Sequence, residues 1–168
     1  MLKKIIGVMG PGSSASKTDL KNAYEIGAFC AKKGWVTLTG GRNKGVMNEA
    51  LKGAKENNGL TIGVLPTDEK ELFSDFLDIP IITNMSSGRN YINVLSSDIV
   101  IVCGIDSGTS SEISLAIKPG KKIILIGLYE EANTFYKKLA PEQILCVKNS
   151  KEAIDFLEKE NDILRTLK

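Results

Sequence analysis

Residues 100–117, VIVCGIDSGTSSEISLAI, decide how the rest of the chain is read. An apolar run from Ile99 to Cys103 breaks at Gly104 into a turn of small polar and acidic residues, and a helical pattern follows over about 110–118. Uninterrupted apolar runs of this length fit strands covered on both faces, whereas half-exposed strands alternate. Thr109 and Glu112 stand at the spacing of a capping box, in which hydroxyl and carboxylate each satisfy a backbone N–H at the helix start. The same loop gathers glycines, hydroxyls and a carboxylate at the end of a buried strand, where open α/β sheets hold their ligands.

The pattern recurs on both sides of this stretch. Further strands are expected at 4–9, 35–39, 61–66, 79–83, 122–126 and 144–147. Helices are expected at 18–33, 46–57, 89–96, around 135–139, and from 151 to about Leu167, the last opened by Asn149 and Glu152 as a second capping box. Strands alternating with helices imply right-handed crossovers. The expectation is a single Rossmann-like α/β domain over residues 1–168, a doubly wound parallel sheet of about seven strands with helices on both faces. Its function should sit in the loops that follow the strands.

Composition narrows the function classes. The 168 residues are 42% hydrophobic and 25% charged, and 22 basic against 20 acidic residues give a net charge of +2. No basic block or stripe is present, so no nucleic-acid partner is expected. The apolar part of MLKKIIGVMG is too short for a membrane span or a signal-peptide core, and a cytoplasmic protein without a membrane partner is expected. Histidine is absent, which removes Ser-His-Asp triads, histidine metal sites and histidine acid–base chemistry. Cys30, Cys103 and Cys146 are widely spaced and odd in number, so they read as reduced thiols, and no metal site is expected.

Four post-strand loops carry chemistry. MGPGSSAS (9–16) formally satisfies the G-x-G-x-x-G/A dinucleotide fingerprint, but the helix begins too late for its final position to lie inside it. The second strand also runs into Thr39-Gly40-Gly41-Arg42, with no acidic residue for a ribose; Arg42 against a 2′-phosphate would make this an NADP site. In TGGRNKGVM (39–47), Gly40, Gly41 and Gly45 would let backbone amides approach an anion at a helix start. SSGRN (86–90) opens a helix. Of the 22 basic residues only Arg42, Arg89 and Arg165 are arginines, and two of these stand in glycine-rich loops after strands. A planar guanidinium holds phosphate or carboxylate in a way lysine does not. Arg165 reads as a surface residue. The fourth loop is the opening stretch, where Glu112 follows Arg89 by 23 positions.

The set Gly40-Gly41…Gly45-Val46-Met47, Arg89 and Gly108-Thr109-x-x-Glu112 resembles the LOG family, often labelled "lysine decarboxylase", over roughly residues 5–125. The stretches KGVMNEALKGAKENNGLTIGVLP and DIPIITNMSSGRN resemble more closely its branch of molybdenum-cofactor carriers and nucleotide-binding relatives. The resemblance implies a cleft for a phosphorylated small molecule, no required cofactor, and a nucleotide or molybdopterin-type ligand. Arg89 and Glu112 would be the catalytic pair of a phosphoribohydrolase. Ser13, Gly40, Gly41, Gly45, Met47, Asn90, Gly108, Thr109 and Ser110 would line the ligand. It also implies a homodimer or higher homo-oligomer, and the helix carrying Tyr91, Ile92, Val94 and Leu95, apolar on more than one side, or its neighbour is expected to form the interface. Two departures favour binding over hydrolysis. Ile105 and Asp106 replace loop glycines, and Ser86-Ser87-Gly88-Arg89-Asn90 lacks the hydrolases' histidine and lysine. A nucleotide N-glycosidase and an NADP-binding sensor module are the alternatives; no pyridoxal-lysine motif supports decarboxylation.

Overall fold

A computed structural model describes residues 2–166, with side chains as far as residue 159. The apolar runs become seven strands: β1 (Ile5–Met9), β2 (Val36–Thr39), β3 (Leu60–Leu65), β4 (Ile79–Ile82), β5 (Ile99–Cys103), β6 (Lys122–Ile126) and β7 (Ile144–Val147). All pair in parallel, in the order β4-β3-β2-β1-β5-β6-β7. Between them run α1 (Lys17–Lys32), α2 (Gly45–Glu56), α3 (Arg89–Ser96), α4 (Ser107–Ile117) and α5 (Glu130–Leu139), and α6 (Ser150–Thr166) follows β7. The sequence is thus a single Rossmann-like domain. The helix end expected near Leu167 and the side chain of Arg165 lie outside the described residues.

Continuous apolar strands find two covers. In β5, Ile99, Ile101 and Cys103 join one core with α1, α2 and α6, while Val100 and Val102 join the other with α3, α4 and α5. The strand order reverses between β1 and β5, whose register pairs Met9 with Val102. The loops leaving these two strands therefore emerge side by side, at the switch point where such sheets bind ligands.

Four sequence expectations are corrected. First, β4, at one edge of the sheet, is only partly covered: Ile79, Ile81 and Ile82 are each 42–47% exposed. Second, α4 begins at Ser107, a turn earlier than expected. Asp106 is its N-cap, accepting the Thr109 N–H at 2.8 Å and the Thr109 hydroxyl at 2.9 Å on the same oxygen, so the Thr109/Glu112 capping box does not form. Third, α5 begins at Glu130, with Glu130 and Glu131 in its first turn, where carboxylates suit the helix dipole. Fourth, at α6 the Asn149 side chain accepts the Glu152 N–H, but the Glu152 carboxylate reaches back to the Lys148 N–H and only half of a capping box is made.

Helices α1 and α2 cross at backbone distance. A Cβ on Gly27 would lie 2.0 Å from the Ala50 carbonyl oxygen, and one on Gly53 would lie 2.0 Å from that of Tyr24. Neither backbone can yield without parting the helices. Gly27→Ala is expected to destabilise the fold by about 3 kcal/mol, measured by urea denaturation, despite alanine's better helix propensity; an unchanged midpoint would contradict this packing.

Candidate functional site

The site is built from the ends of elements, with Glu112 reaching it from the second turn of α4. The loops after β1 and β2 and the starts of α3 and α4 meet at the carboxyl edge of the sheet. They enclose a cleft of about 140 Å³ lined by Met9, Gly10, Gly12, Gly40, Met47, Arg89, Asn90, Asp106, Gly108, Thr109 and Glu112. Arg89 is the first residue of α3, and the turn before it holds Asn84 and Ser86 at φ of +52° and +49°. Non-glycine residues in this region are uncommon and concentrate at functional sites.

Gly40 makes the room that Arg89 fills. A Cβ there would sit 2.6 and 2.7 Å from two guanidinium nitrogens and 2.6 Å from the Met47 sulfur. The Arg89 and Glu112 side chains are only 11% and 9% exposed, with Nη1 and Oε1 3.7 Å apart. That distance makes an ion pair but no hydrogen bond, so guanidinium donors remain for another partner. The Arg89 Nε is buried and finds no acceptor among the described residues; the same is true of the Arg42 Nε. The positive charge of Arg42 is felt at Arg89, placing two arginines in one field.

Glu112 does not fully balance them. Burial pushes its carboxyl up to about 7; Arg89 and a 3.3 Å hydrogen bond donated by Asn93 Nδ2 pull it down, and Asp106 pushes it up again. Asn93 is fully buried, and its carbonyl accepts the Ser97 hydroxyl. Burial also lowers the Arg89 pKa, but a guanidinium remains charged. Among the described residues lining the cleft, Arg89 is the one cation, beside the carboxyl groups of Glu112 and Asp106, and Arg42 adds positive charge from outside the lining. The guanidinium donors that Glu112 leaves without a hydrogen bond are what suit an anion.

The amino end of α4 offers an anion less than the sequence implies. Asp106 takes the Thr109 N–H and helix bonding takes that of Ser110. The side chain that replaces a loop glycine is thus an internal anion at the helix start. Ser110 turns its hydroxyl to Tyr136, 2.7 Å away, outside this cleft.

The remaining expected ligand contacts divide in two. Gly40, Met47, Asn90, Gly108 and Thr109 line the cleft with Arg89 and Glu112; Ser13, Gly41 and Gly45 do not. Ser13 is exposed on its loop. Gly41, at φ +74°, donates to Thr39 Oγ1, and a Cβ there would lie 2.9 Å from the Gly63 Cα. At Gly45, a Cβ would lie 2.1 Å from the Gly12 carbonyl oxygen, and the neighbouring Val46 N–H donates to that of Pro11. The start of α2 is therefore closed by the first loop. The sequence reading missed Asn93 and did not identify Asp106 as the N-cap of α4. The cue was Asp106 three residues before Thr109, an N-cap spacing as good as the one chosen.

Fold and cleft define a Rossmann-like protein of the LOG-like kind, with an arginine–glutamate pair at the switch point. The model of the SLOG cluster4 family matches residues 3–154, and the chain belongs to that family. Its fold is that of the molybdenum cofactor binding protein of Rippkaea orientalis, at 48% identity and a TM-score of 0.90, over 95% of this chain and 98% of that one. The molybdenum cofactor carrier protein of Chlamydomonas reinhardtii gives 43% and 0.89, over 94% and 98%. An uncharacterised Archaeoglobus fulgidus protein is 45% identical over 70% of this chain and 76% of its own length.

The Glu112 carboxyl yields a pH prediction. Its pKa is higher in the folded protein than in the unfolded chain, so between about 4.5 and 7 the folded state keeps a proton that the unfolded state has lost. Stability from this group is therefore full below pH 4.5, falls as pH rises, and levels off above 7. The wild-type minus Glu112→Gln difference in unfolding free energy is expected to decline across that window by on the order of 3 kcal/mol at most. A difference that is flat or rises with pH would contradict it.

Proposed function

We propose that this protein binds a phosphorylated small molecule, a nucleoside monophosphate or a pterin-type cofactor, and holds it without breaking a bond. One observation carries the reading: the buried Arg89 guanidinium keeps unused donors in a cleft, while the α4 amino end is capped by the chain's own Asp106. The phosphate is assigned to Arg89, with Asn90 and the Gly40 backbone beside it, and Arg42 contributes at longer range. Relatives whose names state that they bind or carry the molybdenum cofactor support a carrier role.

A nucleotide N-glycosidase is the second reading, favoured by Glu112 at about pKa 7 beside an arginine. In such a reaction the carboxylate would stabilise an oxocarbenium-like ribose and orient water, and Arg89 would hold substrate. It also needs a 5′-phosphate on the α4 amides, where Asp106 now stands. An NADP-binding module has less support, since Ala15, the last fingerprint position, precedes the α1 N-cap, Ser16.

Calorimetry is expected to show AMP binding to the wild type and a loss of ~10- to 100-fold in Arg89→Ala, the range for a charged hydrogen-bonded partner. Incubation with AMP should release no adenine at enzymatic rates; turnover of ~1 s⁻¹ or more would replace the carrier reading with the glycosidase. Glu112→Gln would then abolish release while leaving affinity within a few-fold.

The same proposal includes a homodimer or larger homo-oligomer. Tyr91 and Leu95 are exposed on α3 and Met85 just before it, whereas Val94, expected on the same apolar surface, is buried in the core; β4 is only partly covered. Light scattering at micromolar concentration should give at least twice the 18.2 kDa chain mass; a monomeric mass would contradict it.

A further inference from the structure

The Arg89 cleft is too small for the whole of such a ligand. Its volume of about 140 Å³ falls below the roughly 300–1,000 Å³ of ordinary small-molecule pockets and suits one anionic group. Next to it, between the start of α4 and α5, lies a cavity of about 620 Å³. Asp106 lines both.

This second cavity has aromatic walls that the fold itself does not use. Tyr129 and Phe135 are 60% and 59% exposed, and Ile105 lies half-buried beside them. Tyr136 is buried, and its hydroxyl bond to Ser110 fixes α5 against α4. Phe135 meets Tyr136 edge-on, with ring centroids 5.1 Å apart. Two exposed aromatic rings on a held frame make a stacking surface for a flat ring. At the boundary, one Asp106 oxygen accepts twice from Thr109. The other has no hydrogen-bond partner among the described residues and can only accept.

Resting on the phosphate assignment above, we propose that this cavity holds the planar heterocycle of the ligand whose phosphate Arg89 binds, and that Asp106 selects a 2-amino-4-oxo ring, as in a pterin or guanine. Such a ring presents adjacent N–H and NH₂ donors to a carboxylate oxygen. Adenine places acceptor nitrogens beside its single amino group, and an aspartate meets these unfavourably. Ile105 and Asp106, which replace loop glycines, thereby acquire roles as ring contact and ring selector.

Calorimetric titrations of the full chain with inorganic phosphate, GMP, AMP and 6-hydroxymethylpterin test this. GMP should bind about tenfold or more tightly than AMP. Tyr129→Ala/Phe135→Ala, at exposed positions that do not endanger folding, should weaken GMP and 6-hydroxymethylpterin by about tenfold and leave inorganic phosphate unchanged. Arg89→Ala should do the reverse, losing phosphate while 6-hydroxymethylpterin still binds. Equal GMP and AMP affinities, or ring binding indifferent to the aromatic substitutions while phosphate still depends on Arg89, would overturn this inference and leave the phosphate assignment standing. Phosphate binding that ignores Arg89 would overturn the assignment beneath it.

Discussion

A single carboxylate oxygen of Asp106 accepts both the amide and the hydroxyl of Thr109, and the character of the site follows from that contact. It starts α4 a turn earlier than the Thr109/Glu112 spacing alone would. It buries Thr109 and frees Glu112 from capping. Released from the helix end, Glu112 faces Asn93 and Arg89 across the cleft. The cap also puts the chain's own negative charge where a helix start would otherwise attract a phosphate.

The demand for an anion passes to Arg89. Its guanidinium occupies the space that Gly40 leaves empty, too far from Glu112 for a hydrogen bond and with a buried nitrogen still unpaired. Burial raises the Glu112 pKa to about 7, so this carboxyl only partly offsets Arg89 and Arg42, and the Asp106 carboxylate at the edge of the cleft adds to it. The sheet delivers these groups to one place because its order reverses between β1 and β5. Two hydrophobic cores on either side of the sheet hold that geometry in place.

Much of this was legible in the sequence, and the exceptions have physical causes. An apolar run buried on both faces gave β5 its observed limits, ended by Gly104, and the Ser-Ser-Gly turn marked the start of α3. Ile79-Pro80-Ile81-Ile82 reads as equally buried, yet edge position is a property of strand order, which local pattern does not encode. Arg89 stood out because arginine is scarce in this chain, and Glu112 because of its spacing from it. Which residue caps α4 was ambiguous: Asp106/Thr109 and Thr109/Glu112 have the same separation, and the partners that Glu112 finds instead, Asn93 and Arg89, are distant in sequence. Glycines were the hardest to sort. Gly40 admits a side chain, Gly41 admits β3 and Gly45 admits the first loop, and a glycine carries no mark of which neighbour required it.

Diffraction from crystals of the protein bound to a thiophosphate nucleotide, with the sulfur located by its anomalous signal, tests the central claim most directly. The account predicts the thiophosphate within hydrogen-bond distance of Arg89, with Asp106 still accepting from Thr109. A thiophosphate seated on the amides of Gly108, Thr109 and Ser110, with the Asp106 carboxylate displaced, would contradict it.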